Sequence, residues 1–137
     1  MKSIVVIGSA HHNTLGMIRC LGIAGYLVDL VLIGDSKSFL SKSRYVNKYY
    51  VLKELDGLKE LLDTNYNKGI EKTIIISCTD AVASYLDVRY EELKNKFIFF
   101  NSGVANHVTN YMDKQNQVLL AQEIGMQIPQ SYIYRGK

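Results

Sequence analysis

Apolar positions along this chain follow two alternating periods. The run Ile4-Val5-Val6-Ile7 is β-branched throughout and breaks at Gly8. An unbroken apolar run of this kind suits a strand covered on both faces, as in the middle of a parallel sheet. The pattern then turns helical. Leu15, Ile18, Leu21 and Gly22 recur at helical spacing, with Asn13 or Thr14 as the expected cap and Gly25 as the expected terminator. Tyr26 to Ile33 reads as a second strand, ended by Gly34-Asp35-Ser36, so the opening third is a strand-helix-strand unit with a right-handed crossover.

The alternation continues. Ser36 to Arg44 is polar, with Phe39 and Leu40 anchoring a short helical turn, and Tyr45 to Val51 has the lysine and tyrosines of an edge strand. Leu55, Leu58, Leu61 and Leu62 mark an amphipathic helix closed by Asn67-Lys68-Gly69. Lys72 to Ser77, with Ile74, Ile75 and Ile76 in series, is a second strongly buried strand. Thr79-Asp80 opens a helix through Val82, Tyr85, Leu86 and Leu93, with Asp80 as its cap. Phe97 to Phe100 forms a further strand, stopped at Asn101-Ser102-Gly103. From Asn110 one helix runs to Gly125, and Gln130 to Tyr134 is a last extended piece. Strands alternating with helices predict an α/β fold: a three-layer α/β/α Rossmann-like domain with a mostly parallel sheet.

Composition narrows the function classes. At 137 residues, with 47% hydrophobic and 21% charged residues, the chain is of single-domain size and globular composition. Its charge of +3, from 16 basic and 13 acidic residues, is scattered without a Lys/Arg block, which argues against nucleic acid as a partner. Cys20 and Cys78 have neither metal-binding nor disulfide-framework spacing, so a reduced, cytoplasmic protein is expected. The first apolar run is too short to span a membrane and lacks a signal-peptide cleavage pattern. No membrane partner is expected.

Candidate chemistry gathers after the first strand. In an open α/β sheet, ligands bind where strand carboxyl ends meet helix amino ends, which here means Gly8, Ser9, Ala10, His11, His12 and Asn13. Free backbone N–H groups and the positive end of a helix dipole favour a carboxylate or phosphate there. The glycine spacing is neither that of the dinucleotide fingerprint nor that of the P-loop. The adjacent His11 and His12 should point apart and serve poorly as joint metal ligands, so substrate contact or simple exposure is expected of them. Asp35, after the second strand, stands where a ribose-binding acid would stand, but without the glycine fingerprint a solvated turn aspartate is the expected role.

A set of short motifs adds a resemblance. Val5-Val6-Ile7-Gly8, Ile18-Arg19-Cys20-Leu21-Gly22, Ser43-Arg44-Tyr45-Val46, Thr79-Asp80, and Met112-Asp113-Lys114 followed by Ala121, Gly125 and Pro129 occur in that order over nearly the whole chain. In order and spacing the set resembles the amino-terminal lobe of ATP-grasp enzymes, closest to the carboxylate-amine ligases and carbamoyl-phosphate-synthase-like members. The resemblance implies that residues 1–110 are the Rossmann-like lobe and that 111–137 are a helix and the start of a linker to an ATP-grasp domain beyond this sequence. It implies a small-molecule carboxylate or amine substrate contacted by the loop from Gly8 to Asn13. The carboxylate would be activated as an acyl phosphate and then attacked by an amine. Lys114 matches a lysine that reaches the nucleotide phosphates, a role suited to a compact charge on a flexible stem.

The match has departures. His11 and His12 replace small residues of the family's first loop. The glycine-rich flap, the adenine-contacting strand and the magnesium-binding acids have no counterpart here, so ATP and magnesium are cofactors of the parent enzyme. Neither is expected to bind this chain tightly, and ligation is not expected from it alone. Two other readings stay open. One is a free-standing Rossmann-like module for a nucleotide or small anion; the other is a docking domain or homodimer using the Tyr49-Tyr50 edge.

Overall fold

The computed structural model describes residues 3–34, 38–67 and 71–130. The apolar runs become a five-stranded, all-parallel sheet in the order β3-β2-β1-β4-β5, with β1 (Ile4–Gly8), β2 (Val28–Ile33), β3 (Val46–Leu52), β4 (Thr73–Ser77) and β5 (Phe97–Ile98). β1 lies at the centre and is buried at every position. Successive side chains of a strand point to opposite faces, and this splits the core in two. Val5 and Ile7 join Val31, Leu58, Leu62, Leu86 and Leu93 on one face; Ile4 and Val6 join Ile18, Leu30, Leu32 and Leu40 on the other.

Helices cover both faces. α1 (His12–Ile23) and a 3-10 turn at Phe39–Lys42 pack on the Val6 side. α2 (Leu58–Tyr66), α3 (Asp80–Val88) and α4 (Tyr90–Leu93) pack on the Ile7 side. The domain is a three-layer Rossmann-like α/β/α fold, as the two periods require. Two short helices, α5 (His107–Met112) and α6 (Lys114–Glu123), extend from it. Among the described residues no helix is long and apolar enough to cross a membrane.

Element ends depart from the sequence expectation for local reasons. α1 starts at His12, capped by His11 rather than by Asn13 or Thr14: His11 Nδ1 accepts the Asn13 N–H at 3.3 Å. Gly25 ends it as expected, with φ of 88° and reverse bonds from Tyr26 N to Leu21 O and Gly25 N to Gly22 O. β2 begins at Val28, leaving Tyr26 and Leu27 exposed in the turn. β5 stops at Ile98 because Asn101 Nδ2 donates to Phe99 O at 2.6 Å, which turns the chain out of the ladder. The single helix expected from Asn110 is two. Asp113 is extended and its Oδ1 accepts from Gln115 N and Asn116 N, so α6 begins afresh at Lys114. Arg89 likewise separates α3 from α4.

Two buried carboxylates tie these pieces together. Asp29 Oδ2 accepts from the Tyr66 hydroxyl and Oδ1 from Asn47, both at 2.8 Å, joining β2 to α2 and β3. Asp87 Oδ2 accepts the Thr109 N–H and hydroxyl at 2.8 Å, joining α3 to α5. Asp35, Lys68, Gly69 and residues 131–134 of the expected last strand lie outside the described residues.

Candidate functional site

The strand order reverses between β1 and β4, and open α/β sheets place ligands outside the strand carboxyl ends at that point. A crevice of about 340 Å³ lies there, lined by Asn13 and Met17 of α1, Ser77 at the end of β4, Cys78 and Thr79 after it, and Asp80 and Ala83 of α3. The two strand ends are locked together. Ile7 pairs with Ser77 in register, and Cys78 N donates to Ile7 O at 2.8 Å.

Gly8 makes the approach of α1 possible. A Cβ there would lie 2.4 Å from Thr14 Oγ1 and 2.9 Å from Cys78 Cβ, contacts that no folded chain sustains without moving backbone. Thr14 is fully buried over this spot. Its hydroxyl lies near the Cys78 thiol but makes no bond of good geometry with any described group. Burial pushes the Cys78 thiol above its usual range, and the Thr14 hydroxyl only partly opposes this. A neutral, half-buried thiol is a wall of the crevice rather than a nucleophile.

Two helices aim their amino ends at the crevice. In α1, the Asn13 and Leu15 N–H groups are taken by His11, which leaves those of His12 and Thr14 without a partner among the described residues. In α3, the cap is Thr79, whose Oγ1 accepts from Val82 N at 3.3 Å. Asp80, expected as the cap, instead occupies the first helical position and is exposed, with its carboxylate unpaired among the described residues. His12 and Thr14 do not themselves line the crevice, so what it presents is the positive dipole ends of two helices beside the Asp80 carboxylate, a combination that complements a molecule bearing both a carboxylate and an amine.

Of the six predicted loop residues, Asn13 lines the crevice. Gly8 lies buried beneath Thr14, Ser9 is half-buried, and Ala10, His11 and His12 are exposed. The two imidazoles do not point apart: they sit at the start of a helix with ring centroids 3.7 Å apart, tilted by 38°. Among the described residues no group of three or more His, Cys, Asp or Glu side chains gathers to hold a metal. Lys114 is exposed in the first turn of α6 and is not among the residues lining the crevice. Met17, Cys78 and Ala83 were missed by sequence reasoning. Their apolar spacing reads as ordinary core, and only the pairing of β1 with β4 brings them together. No protein-family model matches this chain, and no curated protein matches it.

Proposed function

We propose that this chain is the amino-terminal, substrate-binding lobe of an ATP-grasp ligase, cytoplasmic, in which the β1–β4 crevice holds a small carboxylate or amine substrate. One observation carries the reading: Asn13 at the start of α1 and Thr79-Asp80 at the start of α3 line one crevice at the strand-order reversal. The Thr79-Asp80 pair is also one of the motifs that carry the sequence resemblance, and the first-strand loop is where that resemblance would put substrate contact. In this reading, N–H groups at the start of α1 receive the substrate carboxylate and Asp80 receives its amine. Both are held at fixed helix ends, so binding needs little reorganisation.

ATP and magnesium belong to the rest of the enzyme, where they supply the phosphoryl group that activates the carboxylate. Lys114 reaches toward those phosphates from the base of α6. The exposure of Leu119, Ile124 and Met126 on and after α6 supports a surface that a further lobe covers. The test is an amide NMR titration with the common amino acids. The proposal expects shifts confined to residues 9–14 and 77–83. Silence there, together with micromolar binding of NAD, would favour a free-standing dinucleotide module, which shares this strand order.

A further inference from the structure

A second cavity, of about 410 Å³, lies on the other flank of α1, between that helix and the segment linking β2 to β3. Its charge sets it apart. Arg19, Lys42 and Arg44 all line it, and among the described residues no acidic one does. Elsewhere Lys59 and Lys96 pair with Asp63, and Lys94 pairs with Glu91. Arg19 and Lys42 have no such partner among the described residues. Three like charges facing one concavity repel each other, and a bound dianion relieves that repulsion.

The cavity has rigid parts. Arg44 Nη2 donates to the Tyr45 hydroxyl at 2.6 Å, and the guanidinium lies 4.8 Å from the centre of the Tyr45 ring. That ring is itself pressed against α1 at Gly22, where a Cβ would come within 2.0 Å of it. Arg44, though exposed, is thereby tethered to a ring that is packed on α1. A planar guanidinium tethered in this way matches two oxygens of a phosphate, while Lys42 contributes a mobile point charge. Phe39, 62% exposed at the cavity wall, offers an apolar ring face for the body of a ligand.

We propose that Arg19, Lys42 and Arg44 form a binding site for a phosphate-bearing small molecule, with its organic part against Phe39. The site shares no lining residue with the β1–β4 crevice. Arg19 follows Leu15 by four residues on one flank of α1, as Met17 follows Asn13 on the other. The assignment stands independently of the ligase reading.

The test is an amide NMR titration of the whole chain with AMP, inorganic phosphate, sulfate and adenosine at matched ionic strength. AMP and phosphate should shift residues 19 and 42–45, with AMP the tighter, and adenosine should leave them unmoved. Arg19→Gln and Lys42→Gln, both at exposed positions, should each weaken AMP binding by about tenfold or more. Asp80→Asn in the other crevice should leave AMP binding unchanged. Thermal unfolding of each variant verifies that it is folded. Sulfate binding as tightly as AMP, AMP affinity surviving the Arg19→Gln and Lys42→Gln double substitution, or no shift at low millimolar AMP would overturn the proposal.

Discussion

A methyl group added at Gly8 would lie 2.4 Å from the hydroxyl oxygen of Thr14, so the end of β1 and the first turn of α1 meet with no space between them. Gly8→Ala therefore overpacks a fully buried contact. It should lower stability by about 1–3 kcal/mol, read as a fall in the urea midpoint at unchanged slope, and displace the Ser9 to Asn13 loop. A midpoint equal to that of the unaltered chain would show that α1 can shift without cost.

Thr14→Val separates packing from binding at the same place. The Thr14 hydroxyl is fully buried without a partner of good geometry, so replacing it with a methyl group should leave stability unchanged or raise it by about 1 kcal/mol. A clear loss of stability would mean that the hydroxyl has a structural partner, with the Cys78 thiol the nearest candidate.

The Tyr66 phenol donates to Asp29 at the opposite end of the sheet from the crevice. Burial first, then the bond and charge of Asp29, then Tyr50, hold its ionisation far above the ordinary value of 10.0. A group whose folded value is raised contributes stability that is complete below its unfolded value and lost as pH rises above it. Stability should therefore fall with pH above about 10. Tyr66→Phe should flatten that alkaline slope and cost about 1–3 kcal/mol at neutral pH, because among the described residues Asp29 then keeps only its bond from Asn47. An alkaline profile unchanged by Tyr66→Phe would contradict this.

Asp63 has the opposite sign. The bonds from Lys59 and Lys96, each 2.8 Å, hold its carboxyl below the ordinary value of 3.8 against the opposing effect of burial. Its contribution is present above that value and fades as pH falls further. Asp63→Asn should reduce the loss of stability as pH falls below about 4, with little effect at neutral pH because such partly exposed pairs are weak. An acid transition identical to that of the unaltered chain would show that the two lysines do not matter.

The fold was legible because its central strands are nearly pure. Ile4 to Ile7 leave no reading other than a buried strand, while Ile74 to Ile76, expected to be strongly buried, do form a strand but one buried only at Thr73 and Ile75, with Ile74 and Ile76 half-buried; Gly25 and Gly125 sit at left-handed positions that end α1 and α6. The errors concern residues that compete for the same backbone groups. At the start of α1, His11, Asn13 and Thr14 all have side chains able to cap, and the choice of His11 depends on Thr14 turning inward over Gly8. The pair Thr79-Asp80 offers two caps, and the hydroxyl takes the bond. Asp113 breaks a helix that the apolar spacing alone would continue. The crevice was half legible, since its loop follows from the first strand's end, while its Cys78 wall depends on the β1–β4 register.

Asp87 buries a carboxylate to hold α5, and α6 follows on from α5 without burying any residue of its own. Asp87→Ala should leave the sheet amides protected from hydrogen exchange while those of residues 107–123 exchange faster. Uniform loss of protection would show that the extension and the sheet unfold as one unit.

The central claim is that the ends of α1 and α3 form one substrate site. Its most direct test is the amino acid titration carried out in parallel on the unaltered chain and on Asp80→Asn. The account predicts that an amino acid that binds shifts the amides of residues 9–14 and 77–83 together, and that removing the Asp80 charge weakens that binding by about tenfold or more while the fold is retained. Shifts confined to one of the two segments, or affinity indifferent to Asp80, would contradict it.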